Sequence, residues 1–457
     1  MRQLPRFVAI GCLWSATAYA DNLDFHATAA GSVATTDNVN GSATNPRGSV
    51  FSDVRPGMLF TYNAPRAIQE LTTEVDMFYY FGNAKPNVTF RADWKAFLMT
   101  GPRSEMSVGA TGSKGQINAL SASTYANENP LLVQPEGRVE SNNVSASENA
   151  SWIATTFTRL SQRAFTRYTT TEDTNPDIAV TTKSFEAGAA FGIDHRLRRD
   201  NFSLELGGSY VYLEKKDPFL RQMGDRLDKQ LNPRAVALWQ HDFTKQWSSN
   251  VNAGVVYVNP IYNLTDDTEA APFPIFGLTT AYTDVWGRAQ LTARRQVTPN
   301  LFIAQNTISD GVNVTFAMPL AFLDKDSRKR APKVVGIGTV GVDRTQLIDP
   351  TNAELAGRFN LARLDLAVGW QPRTGQTLGL RYEFTYQNGD TIGDMVVPSF
   401  YRNTFYFTYS LRWPEDVRVR VPRRNNSVRA DQSDLAPIGS EPVVIDPAQL
   451  LEEQGGR

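Results

Sequence analysis

Apolar and polar residues alternate one by one over stretches of ten or more positions through most of the chain, each stretch ending in a cluster rich in Gly, Pro, Asn or Asp. A period of two is that of a β-strand, whose successive side chains point to opposite faces. The last stretch shows it most clearly. Phe405, Phe407, Tyr409, Leu411 and Trp413 share one face, and Thr404, Tyr406, Thr408, Ser410 and Arg412 the other. Before it, Leu378, Leu380, Tyr382, Phe384 and Tyr386 oppose Gly379, Arg381, Glu383, Thr385 and Gln387. Near the start, Val88, Phe90, Ala92 and Trp94 oppose Arg91, Asp93, Lys95 and Phe97.

The pattern predicts strands near 23–36, 51–62, 69–80, 88–99, 104–124, 139–148, 152–169, 183–195, 201–213, 233–243, 246–258, 281–295, 300–316, 334–346, 359–371, 376–387 and 403–413. A soluble sandwich uses strands of about five or six residues, whereas a transmembrane barrel uses strands of about ten, with aromatics at the bilayer interfaces. The length of these strands, and Tyr386, Tyr409 and Trp413 near their ends, favour the barrel. No run reaches the ~18 apolar residues that a spanning helix requires.

Seventeen strands is an odd number, and bacterial single-chain barrels have an even one. Sorting short turns to one side and long loops to the other puts the break at 371–375 on the wrong side. A hidden strand is therefore expected between 300 and 358, through a turn at Ser309-Asp310-Gly311. The expectation is an all-β, transmembrane antiparallel barrel of eighteen strands, with sixteen as the alternative. Asp37–Val50, Tyr125–Arg138, Thr170–Thr181, Glu214–Asn232, Asn259–Thr280, Pro319–Pro332 and Asn388–Ser399 are expected as external loops.

The ends have a different character. Arg2 and Arg6, the apolar run Phe7–Trp14 and the Ala18-Tyr19-Ala20 site make residues 1–20 an expected secretory signal peptide, leaving the barrel at 21–413. The only cysteine, Cys12, lies in that leader, so the mature protein is expected without disulfides or thiolate chemistry. Pro414 stops the last strand. From 414 to 457 the chain is charge-segregated, with Arg418, Arg420, Arg423, Arg424 and Arg429 ahead of Asp431, Asp434, Glu441, Asp446, Glu452 and Glu453. This reads as a disordered periplasmic tail, or a docking segment for periplasmic export partners.

These features together resemble the Gram-negative outer-membrane β-barrel proteins, in architecture rather than through any short motif. The resemblance implies an outer-membrane location, contact with outer-membrane lipid, and recognition by the barrel-assembly machinery through the terminal strand ending at Trp413. A tail follows that strand, and Thr408 stands near the place where such signals often carry glycine.

Candidate chemistry is sparse. A formal net charge of −1 gives no electrostatic reason to expect nucleic acid as a partner. His26, His195 and His241 are the only histidines, two of them beside aspartates as Asp194-His195 and His241-Asp242. Adjacent strand residues face opposite ways, so neither pair forms a hydrolytic dyad. No metal cluster, cofactor cradle or catalytic set is expected. The informative residues are charges with inward parity, because a bare charge facing lipid costs about 2–4 kcal/mol at the midplane. Lumen candidates are Arg159, Arg163 and Arg167 on one strand, then Asp284, Arg288 and Arg294, then Arg363, Asp365, Arg381, Glu383, Arg412 and Tyr406. Tyr80, Phe97, Tyr282 and Trp286 are expected as lumen aromatics. The Arg363–Asp365–Arg381–Glu383 group reads as a stiffening ladder of ion pairs, the others as the lining of a polar conduit. The functional expectation is non-catalytic passage of polar solutes or polymer. The alternatives are an export conduit for a surface polysaccharide and a structural or adhesion barrel with an occluded lumen.

Overall fold

The computed structural model describes residues 23–39, 46–81, 87–117, 139–173, 181–216, 226–263, 270–284, 286–300, 305–320, 334–348, 355–373, 375–389, 391–392, 395–396 and 399–414. The expected leader and all but the first residue of the expected tail lie outside them. In chain order the strands are β1 (Leu23–Thr36), β2 (Ser49–Ala64), β3 (Ala67–Tyr80), β4 (Asn87–Gly101), β5 (Ser104–Ile117), β6 (Val139–Ile153) and β7 (Thr158–Asp173). There follow β8 (Thr181–Arg196), β9 (Asp200–Lys216), β10 (Arg226–Asp242), β11 (Trp247–Asn263), β12 (Ala271–Asp284), β13 (Gly287–Asn300) and β14 (Gln305–Pro319). The last are β15 (Val334–Ile348), β16 (Leu355–Arg373), β17 (Gln376–Gly389), the short β18 (Thr391–Ile392) and β19 (Met395–Val396), and β20 (Phe400–Trp413).

β18 and β19 pair with each other, and the other strands form one 18-stranded antiparallel sheet in sequence order. β20 pairs back onto β1, from Ala27↔Trp413 to Thr36↔Thr404, and closes the ring. Closure pairs the first strand with the last, as strands that cross hydrocarbon require.

The outer face follows the predicted parity. Phe191 and Ile193 on β8, Leu204 and Leu206 on β9, Val340 and Val342 on β15 and Phe405 and Phe407 on β20 are all exposed on the outside. Exposed tryptophans Trp152, Trp239, Trp247, Trp286, Trp370 and Trp413 stand at one end of their strands, and exposed Tyr79, Tyr257, Tyr386 and Tyr401 at the other. Two aromatic girdles of this kind suit the two interfaces of a bilayer. Leu204→Arg is expected to destabilise the barrel by about 2–4 kcal/mol in urea unfolding from phospholipid vesicles, and Leu204→Phe to be tolerated.

Connections at the tryptophan end are tight, spanning 65–66, 102–103, 154–157, 197–199, 243–246, 285–286 and 374–375. Gly287 (φ 140°) and Gly375 (φ 76°) supply the left-handed backbone that two of these turns require. One connection at this end is long. β14 ends at Pro319 and β15 begins at Val334 on this side, so the connection expected outside at Pro319–Pro332 starts and ends at the turn end; residues 321–333 lie outside the described residues.

The eighteenth strand exists, but not where parity placed it. It is β12, inside the expected loop Asn259–Thr280, and the predicted strand at 281–295 straddles the turn after it. The interval between the predicted strands 281–295 and 300–316 is not a break and Ser309-Asp310-Gly311 is not a turn; both lie in strand, paired through Val297↔Ile308 and Arg295↔Asp310. Pro272 and Pro274 disguised β12, since proline is tolerated only where a strand lacks a partner on one side. β12 has such a place. It pairs with β11 up to Val258↔Ala271, but with β13 only up to Phe276↔Arg295. Beyond that rung the wall splits, and Pro272, Pro274 and Pro299 stand on the two freed edges.

Candidate functional site

Paired charges line the inner wall. On β7 all three sequence-predicted arginines face inward, each near a carboxylate. Arg159 Nη1 lies 3.0 Å from Glu105 on β5, whose Oε1 also accepts a 3.0 Å hydrogen bond from Ser151 on β6. Arg163 pairs with Glu205 on β9, which also accepts from Arg234 on β10 at 2.8 Å. Arg167 stands directly across from Glu186 on β8. The three guanidiniums thus belong to a belt running from β5 to β10.

A second belt occupies β13 to β20. Arg381 donates to Asp365 through Nε at 2.8 Å and to Glu383 through Nη2 at 3.4 Å. Glu383 is 3.8 Å from Arg402 and accepts from the Tyr406 hydroxyl at 3.4 Å. The Arg381 guanidinium sits 5.4 Å from the Tyr406 ring centroid, a cation–π contact. Arg363 interacts electrostatically with Glu383 and with Asp343, and Asp343 with Arg294. Arg288 donates to Gln290 at 3.0 Å. Arg412 has the inward parity of Tyr406 and stands opposite Thr28 on β1.

Asp284 is the exception among the predicted residues. It shares the outward face of β12 with exposed Phe276, and accepts a 3.2 Å hydrogen bond from Tyr282, whose ring stacks on exposed Trp286 at 5.7 Å. The turn at 285–286 changes the phase, so Asp284 and Arg288 lie on opposite faces despite equal parity. Asp284, Tyr282 and Trp286 are therefore corrected from the lumen to the turn-end rim. Tyr80 remains inside, 6.0 Å from Phe51 and 4.9 Å from Phe78.

Sequence reasoning missed the partners: Glu105, Glu186, Glu205, Arg234, Asp343 and Arg402. All carry the inward parity that marked the arginines. Glu205 opposes Leu204 and Leu206 as visibly as Arg381 opposes Leu380. The pairing has a consequence for selectivity. Arg159→Gln, Arg163→Gln and Arg167→Gln together leave Glu105, Glu186 and Glu205 with fewer cations, so reversal potentials in a KCl gradient should move toward cation preference.

Part of the loop-side interior is closely packed. Leu213, Phe51, Phe359, Ile308 and Thr307 are almost fully buried. Past the split, the β13–β14 hairpin turns inward, and residues of both parities, Asn306, Thr307, Ile308 and Ser309, become buried. Ile308 seats among Val256 and Val258 of β11 and Phe273 and Ile275 of β12. Asn306 Nδ2 donates to Gln230 on β10, four strands away around the ring. The described arms of this hairpin thus pack against the inner face of β10, β11 and β12. The sequence signal for it is apolar Val256 and Val258 continuing the inward parity of Asn250 and Asn252.

The histidines sit at the turn end. His26 is buried facing inward, with Nδ1 2.8 Å from the Pro414 carbonyl. His195 Nδ1 is 3.2 Å from Thr158 Oγ1. His241 Nδ1 meets Asp200 at 2.7 Å rather than its neighbour Asp242, and Asp200 also accepts from Trp239 at 2.9 Å. Ser249 lies across from His241 on β11, yet its hydroxyl donates to Thr280 at 2.8 Å. Among the described residues no group of three or more His, Cys, Asp or Glu could hold a metal ion.

No family model matches the chain, and no curated protein matches it by sequence. Among solved structures it is similar to Acinetobacter baumannii OccAB3 (9% identity, TM-score 0.43, covering 86% of this chain and 100% of that one). It is similar also to the outer membrane protein OpdK of Pseudomonas aeruginosa (11% identity, TM-score 0.44, 85% and 99%). A third is the alcaligin outer membrane receptor FauA of Bordetella pertussis (8% identity, TM-score 0.42, 85% and 76%). All three are outer-membrane β-barrels of Gram-negative bacteria.

Proposed function

We propose that the protein sits in the outer membrane and lets polar solutes cross it without catalysis. The observation that carries this reading is the closed ring of strands, apolar outside and lined inside by ion-pair belts. An apolar exterior with two aromatic girdles supports a bilayer setting, and paired charges inside offer passing solutes hydrogen-bond donors and acceptors at low desolvation cost. The balance of Arg and carboxylate along both belts suits small zwitterionic or neutral polar solutes rather than one strongly charged class. The inward-packed arms of β13 and β14, through Asn306 and Ile308, set the size limit. In this reading the tryptophan-girdled end faces the periplasm, the expected leader is removed on export, and the β20 strand ending at Trp413 is what the assembly machinery engages. Swelling of liposomes carrying the refolded protein, in sugars of increasing size, tests the proposal. Swelling that slows with sugar size supports it, and liposomes no faster than protein-free ones contradict it.

A further inference from the structure

The outer wall carries a feature that passage does not use. On β6, half-buried Glu148 faces outward, on the parity of exposed Val144 and Trp152. It stands midway between Trp152 at the turn-end girdle and Val144, whose neighbour on β7 is exposed Tyr168, and so in the middle of the apolar band. Across the strands it meets Val108 and Ala164, and along its own face Ala146 and Ala150. None of these side chains can donate a hydrogen bond, and Glu148 has no partner among the described residues. By contrast, outward Arg295 and Asp310 on β13 and β14 lie 3.6 Å apart as an ion pair. Gln162 and Thr166 share the outward face of β7, opposite Ala150 and Ala146, one on each side of Ala164.

A carboxylate in hydrocarbon is unfavourable unless it meets donors. Acyl chains carry none, and lipid headgroups lie at the girdles, away from this depth. A second copy of the same wall does carry them. The patch holds one acceptor with two donors beside it, so two facing copies satisfy each other, each Glu148 accepting from the partner's Gln162 and Thr166. Such reciprocity is what a twofold contact requires. The short side chains of Ala146, Ala150 and Ala164 let the two walls approach closely. We propose that Glu148, Gln162 and Thr166 form a lateral contact between two copies of this chain in the membrane. The inference rests on the bilayer placement above.

Sedimentation equilibrium of the refolded full chain in density-matched detergent micelles tests it. The wild type is expected to associate reversibly into dimers. E148L and Q162L/T166V should each weaken that association roughly ten-fold or more, the worth of hydrogen bonds to a charged group. E148Q, which keeps a hydrogen-bonding oxygen, should retain most of it, and V340A on the far wall all of it. E148L places an apolar side chain against lipid, so its urea midpoint should not fall, and loss of dimer is then not loss of fold. A wild type that stays monomeric, or E148L and Q162L/T166V that associate as tightly as the wild type, would overturn the proposal. Flotation with phosphatidylcholine vesicles reports the placement separately. A chain that does not float contradicts the placement and takes the proposal with it, whereas one that floats yet sediments as a monomer overturns the contact alone.

Discussion

Replacing residues 297–308 by a two-residue turn should raise single-channel conductance several-fold and admit larger sugars. The segment's described residues, 297–300 and 305–308, belong to hairpin arms that part from β12 beyond the Phe276↔Arg295 rung, and Ile308 packs among Val256, Val258, Phe273 and Ile275. Its removal costs no membrane-level pairing, because β13 and β14 stay joined from Arg288↔Ala317 to Gln296↔Ser309. Ile308→Asp makes the same point without deletion. A carboxylate among Val256, Val258, Phe273 and Ile275 has no partner there, and the tip should lose its seat. Labelling of a cysteine at position 252 by a bulky maleimide added from the loop side should speed up in both variants. Unchanged conductance and labelling would remove the hairpin from its role as constriction.

Glu383→Ala should produce the second large effect, on both selectivity and stability. The carboxylate is the shared partner of Arg381, Arg402 and the Tyr406 hydroxyl, and its side chain is only 12% exposed. Removing it leaves neighbouring guanidiniums on β16, β17 and β20 facing one another. Stranding charges in this way costs about 3 kcal/mol, reduced by whatever lumen water reaches them. Reversal potentials should shift toward anions, and the urea midpoint should fall. Glu383→Gln, which keeps the hydrogen-bonding shape, should show the selectivity shift with a smaller stability loss. A selectivity unchanged in both variants would return this belt to a purely structural role.

Most of the wall was legible because parity is a local property. Phe405 to Trp413 alternates in sequence as it does in the barrel, and so do Leu364 to Trp370 against Arg363 and Asp365. What failed was phase and height. Pro272 and Pro274 look like loop in sequence; in the fold they occupy strand edge freed by the departing hairpin. Ser309-Asp310-Gly311 has turn composition, yet Asp310 is held in strand beside Arg295. Height across strands is invisible to parity, so Arg163 was recognised as inward while Glu205, 42 positions later, was not recognised as its partner. The inward hairpin was hidden for a related reason. Ile308 keeps the outward parity of Val312 and Val314, and only the split wall turns it inside.

The most direct test of the conduit reading is single-channel recording of the refolded mature protein in a planar bilayer. The account predicts steady ohmic current, reduced by added sugars up to a size cut-off that widens when residues 297–308 are shortened. A protein that inserts as a folded barrel but passes no current, with the hairpin intact or shortened, would contradict it.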